Sequence, residues 1–190
     1  MTNSAFARLI LVIVIALGEI TTALAQSPKK LNNLFVYGNG FSFVVTEPDG
    51  WHGDTEKVAE HYHVKVVFSR LGSPAKDDVT IRVRVNKKQD ENTIEDLNYD
   101  MQGYKEEFPI AQFMELHIAH PEYKTFARTV FMPKQFYEYV AYINPGVGAP
   151  NVISVAMSTK ETPATEQELK AYQAILASIR WLPASIPAKR

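Results

Sequence analysis

Histidines are the first candidates for chemistry in this chain, because imidazole nitrogens bind metal ions and exchange protons near neutral pH. His61 and His63 form an H-x-H pair, and His117 and His120 lie three residues apart. In a strand, the first pair would place both rings on one face about 7 Å apart, given a rise of about 3.3 Å per residue. The four rings together, or three of them with Glu60 or Glu122, would suit zinc or copper.

Neither pair has a spacing that is established for metal sites. Ordinary surface or sheet histidines near strand ends account for both pairs, and we favour that interpretation. We therefore expect no metal ion and no other cofactor. A metal site built on His61, His63, His117 and His120 stays open as the alternative, and it would suit a metal-binding protein or a small metal-dependent hydrolase.

Other motifs that carry catalysis are missing from the sequence. There is no cysteine, no G-x-S-x-G pentapeptide and no P-loop. Ser42 lies inside an alternating strand pattern, and acidic pairs such as Asp77 and Asp78 fall in polar stretches that are typical of solvated loops. We predict no catalytic residues and no enzymatic activity.

Residues 1–25 predict a cleaved secretory signal peptide. Arg8 precedes the apolar run LILVIVIAL, and TTALAQS supplies a small-residue cleavage site of the A-x-A kind. An uncleaved anchor is disfavoured because Gly18 and Glu19 end a run that is well short of the about 20 residues needed to span a bilayer. We expect a periplasmic or secreted protein without stable membrane insertion after cleavage.

The rest of the chain predicts a polar lead over residues 26–33, a single domain over 34–182 and a flexible tail over 183–190. With zero cysteines, stability must come from burial and not from disulfides. The net charge of -1 gives no reason to expect a nucleic-acid partner.

Alternating and helical patterns within 34–182 define the fold class. Two apolar runs around Gly38, Asn39 and Gly40 predict a hairpin. VTIRVRVNK reads as a half-buried strand, and an amphipathic helix begins near a capping box formed by Asn92 and Glu95. A second helix begins with a capping box formed by Thr165 and Glu168. We predict an α+β fold, an α/β/α sandwich with a mainly antiparallel sheet of six to seven strands flanked by two main helices.

The strand FYEYVAYI carries aromatic residues on both faces. If one face were left uncovered, Tyr137, Tyr139 and Tyr142 would belong to an interaction surface. A sandwich covers both faces of its sheet, so we favour burial of these rings.

Two end motifs mark the fold. FSFVVTEPDGW ends in Pro48, Gly50 and Trp51, and ILASIRWL contains Trp181. Together with a middle helix and a run of antiparallel strands, they resemble the PsbP/Mog1-like superfamily of small α/β/α sandwiches, over about Phe35 to Leu182. The resemblance implies a protein that acts by binding other proteins, and no catalytic residue set is shared among such proteins. The single short signal looks like a bacterial export signal, which indicates a bacterial exported member.

The leading functional hypothesis is therefore an exported, non-enzymatic accessory domain that binds a protein partner. The metal-dependent alternative rests on the histidines. A third hypothesis is a small-ligand carrier with a cleft between the sheet and the middle helix.

Overall fold

The computed structural model describes residues 32–70, 74, 77–91, 93–160 and 162–182. The predicted signal peptide, most of the polar lead and the tail lie outside these residues. The helices are α1 (Lys57–His61), α2 (Thr93–Glu107) and α3 (Glu166–Ser178). The strands are β1 (Asn33–Gly38), β2 (Phe41–Thr46), β3 (His52–Asp54), β4 (Val66–Ser69), β5 (Val79–Lys87), β6 (Gln112–Glu115), β7 (Lys124–Met132), β8 (Phe136–Asn144), β9 (Asn151–Lys160) and β10 (Arg180–Trp181). Among the described helices, none has the length and apolar character that crossing a membrane requires.

A seven-stranded antiparallel sheet carries most of the fold, in the order β3-β4-β5-β9-β8-β7-β6. Its strand β5 follows the side-chain alternation that the sequence predicted. In β5, Val79, Ile81 and Val83 are buried on one face, and Arg82 and Arg84 lie on the other. The predicted α+β class, with an antiparallel sheet of this size and two main helices, is confirmed.

The two long helices pack on opposite faces of this sheet. Val140 of β8 packs with Leu97 and Met101 of α2. The preceding residue, Tyr139, has its ring centroid 6.5 Å from that of Tyr172 in α3. Because successive strand residues point to opposite faces, α2 and α3 cover different sides of the sheet.

The predicted capping box fixes the start of α3. The Thr165 side chain accepts from the Glu168 backbone N–H at 3.3 Å, and the Glu168 carboxylate accepts from the Thr165 N–H at 2.8 Å. Two N–H groups that a helix start leaves without partners are thereby satisfied. Farther along α3, the buried Tyr172 hydroxyl donates to the Val155 carbonyl at 3.1 Å and ties the helix to β9.

A second, three-stranded sheet has the order β1-β2-β10 and was not predicted. Its hairpin turns where the sequence predicted a turn, with Gly38 paired to Phe41 and Gly40 at a φ of 77°. The other neighbour of β2 is β10, where Trp181 pairs with Phe43 and stacks on its ring at 6.5 Å. The two end motifs of the sequence therefore meet in one small sheet.

Pro48 to Trp51 form the tight turn that leads from β2 to β3. The Trp51 N–H donates to the Pro48 carbonyl at 3.1 Å, and Gly50 has a φ of 75°, in the left-handed region that favours glycine. The Trp51 side chain enters the main core and is 4% exposed. The turn thus directs a large ring into the interior, where it stabilises the fold.

Candidate functional site

The H-x-H pair does not have the strand geometry that the sequence suggested. His61 is the last residue of α1, and His63 has a left-handed φ of 53°, because the chain reverses there to leave the helix. The His63 N–H bonds to the Glu60 carbonyl, and the next N–H bonds to the Ala59 carbonyl at 2.9 Å. Since β4 begins only at Val66, the one-face arrangement expected for a strand is wrong for this pair.

His117 and His120 also have separate environments. His117 is exposed beyond the end of β6, whereas His120 is buried. The Nδ1 atom of His120 accepts from the backbone N–H groups of Glu122 and Tyr123, so Nε2 carries the proton and donates to the Ile179 carbonyl at 3.0 Å. Burial lowers the pKa of His120, which is consistent with this neutral form.

The part of the chain that the structure describes contains no group of three or more His, Asp or Glu side chains placed to hold a metal ion. Both ring nitrogens of His120 are engaged in hydrogen bonds to the backbone. Glu122, which the sequence offers as a further ligand, pairs with Arg180 at 2.7 Å. A metal set that includes His120 would have to break these bonds.

The tyrosines of β8 are mostly buried. Tyr139 and Tyr142 are 7% and 5% exposed, so the suggested interaction surface on these two rings is wrong. The Tyr139 hydroxyl accepts from the Ala164 N–H at 3.0 Å, in the segment that precedes α3. Tyr137 is half-buried and stacks on Phe131 with 4.3 Å between ring centroids. Helices on both faces of the sheet explain this burial.

Besides Tyr99 on α2, the large exposed aromatic side chains of the described residues lie on β1. Phe35 and Tyr37 are 66% and 83% exposed, while Val36 between them is buried against the core. Beside them lies a cleft of about 730 Å³, which α1 and the segment before β4 also line. Lys57, Lys65 and two glutamates contribute charges of both signs to this cleft. We call Phe35, Tyr37 and this cleft the β1 surface.

Among the described residues, the backbone edge of β1 is open as well. Within them, β1 pairs with β2 on one side only, and it contains neither a charged residue nor proline. The other edge strands of the two sheets are shorter and carry charge: His52–Asp54, Gln112–Glu115 and Arg180–Trp181. Charges and short length protect edges from pairing with other chains. Of the four described edges, β1 is the one that lacks both protections.

A second cleft, of about 560 Å³, lies between α2 and the face of the main sheet beneath it. Its lining is mostly polar and holds acidic, basic and tyrosyl side chains. We call it the α2 cleft. Its principal lining residues are Arg82, Arg84, Asn86, Asp96, Asp100, Tyr104, Glu138, Val140, Tyr142, Ser154 and Ala156.

Glu138 organises one end of the α2 cleft. One carboxylate oxygen accepts from the Arg82 guanidinium and from the Ser158 hydroxyl, the latter at 2.6 Å. The other oxygen accepts from the Tyr104 hydroxyl. Burial and the adjacent carboxylate raise the pKa of Tyr104 well above the ordinary phenol value, so Tyr104 keeps its proton. At this end of the cleft, both carboxylate oxygens of Glu138 already accept hydrogen bonds. The ion pair of Glu138 with Arg82 therefore suits a role in stabilising the fold more than a role in proton transfer.

Asp100 and Tyr142 form the middle of the cleft, where the Tyr142 hydroxyl bonds to the Asp100 carboxylate. Burial raises the pKa of Asp100, and the nearby Glu138 raises it further, while the Tyr142 bond and Arg84 oppose the shift. Burial also raises the pKa of Tyr142. The middle of the cleft therefore contains a carboxyl group whose negative charge is poorly solvated.

A scan against family models and a search of curated proteins both gave no match for this chain. The PsbP/Mog1-like relationship therefore stays a prediction that rests on the order of elements and the two end motifs. What the protein does has to be inferred from the β1 surface and the α2 cleft themselves.

Proposed function

We propose that the protein is an exported, non-enzymatic accessory domain that binds a protein partner, and that the partner supplies an extended segment which adds to the free edge of β1. The observation that supports this proposal is the combination on one strand of an open backbone edge with two exposed aromatic rings. Strand addition uses the backbone groups for affinity and the alternating side chains for specificity.

The chemistry of β1 defines the partner segment. A strand laid along β1 places every second side chain on the side of Phe35 and Tyr37, so that apolar residues at alternate positions would pack on these rings. The neighbouring cleft has lysines at 57 and 65 and glutamates at 56 and 60, which suits a segment with charges of both signs next to its apolar positions.

The metal-dependent alternative gains no support from the geometry. The hydrogen bonds of His120 and the helix-end positions of His61 and His63 do not form a shared coordination site. Export to the periplasm or beyond follows from the predicted signal peptide at residues 1–25 and is part of the same proposal.

A pair of charge substitutions tests the proposal. Phe35→Lys and Tyr37→Lys place cations on the edge strand, and Val147→Lys, at a loop residue that is 98% exposed, is the matched control. Wild-type and control proteins should capture the same envelope protein, and photo-crosslinking from position 37 should map to an extended segment of that protein. Both β1 variants should lose the capture while keeping the wild-type melting temperature.

Two results would contradict the proposal. Capture that is equal for wild type and both β1 variants would exclude β1 as the binding site. Crosslinks to a second copy of the same chain, with no other partner, would show that the edge serves self-association and not an accessory role.

A further inference from the structure

The floor of the α2 cleft is an ordered set of rows across three strands. Tyr142, Ser154 and Arg84 align across β8, β9 and β5. The next row holds Val140, Ala156 and Arg82 in the same order, about 6.6 Å away, which is two strand residues. In this second row, Val140 is covered by α2, whereas Ala156 is half-buried and offers a small apolar surface beside polar groups.

The helix above the floor adds two carboxyl groups to the lining of the cleft. Asp96 and Asp100 lie one turn apart on α2, and both line the cleft. Side chains four residues apart on a helix lie about 5–6 Å from each other at Cβ, close enough for one small group to touch both. Since both are acidic, the shared group has to be a donor or a cation.

Asp96 has an unused acceptor. Its side chain is 5% exposed, and Oδ1 accepts from the Gln89 N–H at 2.8 Å, but Oδ2 is buried and has no hydrogen-bond partner within the described part of the chain. A buried polar atom without a partner destabilises a protein unless something satisfies it. Arg82 Nε, which also belongs to the lining, is likewise buried and without an acceptor.

Burial raises the pKa of both Asp96 and Asp100. Burial therefore disfavours the charged forms of these two groups, although Lys88 favours the charged form of Asp96 and Arg84 that of Asp100. A bound cation would restore to them the stabilisation that water provides outside the protein.

We propose that the α2 cleft is a binding site for a small primary amine, with its ammonium group held between Asp96 and Asp100 and its short apolar body beside Ala156. An ammonium ion has three donors, so it satisfies Asp96 Oδ2 and still reaches the carboxylate of Asp100. The cleft volume of about 560 Å³ lies within the ordinary range for small-molecule sites. This site is separate from the β1 surface and does not depend on the proposed protein partner.

Four-carbon probes with and without an amine distinguish the contribution of the ammonium group to binding from that of the carbon chain. Butylamine and 4-aminobutyrate carry the ammonium group, whereas butyrate and 1-butanol have the same chain without it. In amide NMR titrations of the purified protein, both amines should cause saturable shifts at α2 and at β5, with a Kd of about 1 mM or below. Butyrate and 1-butanol should cause no saturable shift at these residues.

Asp96→Asn and Asp100→Asn test the two carboxyl groups with little change in shape. Each should weaken binding of butylamine about tenfold or more, because a hydrogen bond to a charged group contributes at least that factor. Asp78→Asn, at an exposed carboxylate that pairs with Lys160 away from the cleft, is the matched control and should bind as the wild type does. Unchanged spectra of the unliganded variants report that each one is folded.

The proposal fails if neither amine gives a saturable shift at α2, which would mean that the cleft holds only water. It also fails if 1-butanol binds as tightly as butylamine, or if folded Asp96→Asn and Asp100→Asn proteins keep wild-type affinity. None of these outcomes bears on partner capture at β1.

Discussion

Removing the Glu138 carboxylate should lower the free energy of unfolding by more than removing one partner of an exposed ion pair would. Glu138 is 5% exposed and satisfies three donors at once, from Arg82, Ser158 and Tyr104. In Glu138→Leu, the guanidinium of Arg82 stays largely buried and loses its countercharge. The cost therefore comes less from the lost attraction than from the uncompensated charge and the unsatisfied donors that are left behind.

The size of the effect follows from burial. Breaking a buried ion pair by removing one partner costs about 3–5 kcal/mol of the free energy of unfolding. The Arg82 side chain is 23% exposed, which allows water to solvate part of it, so we expect the low end, about 3 kcal/mol. For a chain of this size, that loss corresponds to a decrease in Tm of about 6–12 °C.

Urea unfolding followed by tryptophan fluorescence measures this change, because Trp51 is buried in the core and its fluorescence changes when the core unfolds. Glu115→Leu is the matched control, since Glu115 pairs with Arg128 at 3.6 Å but is 65% exposed; its effect should stay below about 1 kcal/mol. The double variant Glu138→Leu with Arg82→Leu removes both charges and should recover at least half of the loss.

Two results would refute this reasoning. A Glu138→Leu protein within about 0.5 kcal/mol of wild type would show that the pair is effectively solvated. A double variant as unstable as the single one would show that the cost comes from lost packing or from Tyr104, and not from the charge left on Arg82.

Three further predictions concern the core, a cap and pH. Trp51→Ala should lower the free energy of unfolding by about 3 kcal/mol or more in urea denaturation followed by circular dichroism, and an unchanged midpoint would show that its burial contributes little. Thr165→Ala should lower the free energy of unfolding by about 1 kcal/mol in the same assay. Thr165→Ser should keep most of that stability, since the serine hydroxyl can still cap α3. Burial lowers the pKa of His120 in the folded protein, Arg180 lowers it further, and Glu122 opposes the shift. The contribution of His120 to stability is therefore present above the ordinary histidine pKa and is lost as the pH falls through the pKa of His120 in the folded protein. Wild type should therefore lose more stability than His120→Asn between neutral and mildly acidic pH, and parallel curves for the two proteins would contradict this.

Local signals in the sequence were sufficient for much of the fold. The capping box at Thr165 and Glu168 uses groups only three residues apart, and the turn before Phe41 needs only glycine. Alternation along β5 likewise identified which residues face the core. Each of these features depends on neighbours in the chain, and each was recovered from the sequence.

Features that depend on distant segments were not recovered. The three-stranded sheet needs β10 to reach β2, and the end of α1 at His61 takes the H-x-H pair out of the expected strand. The α2 cleft joins residues from α2, β5 and β8, so no short motif marks it. One signal was present: Glu138 is a lone acidic residue in an otherwise apolar strand, and it requires a buried partner.

The pairing of β10 with β2 has a consequence for how the chain reaches its folded state. The N-terminal hairpin has no neighbour for β2 until Arg180 and Trp181 are available, near the last described residue. Contacts between such distant segments form late, because the loop between them must be closed first. A chain whose β10 segment has not yet been synthesised therefore cannot complete this sheet. The domain finishes folding only when the residues up to Trp181 are available.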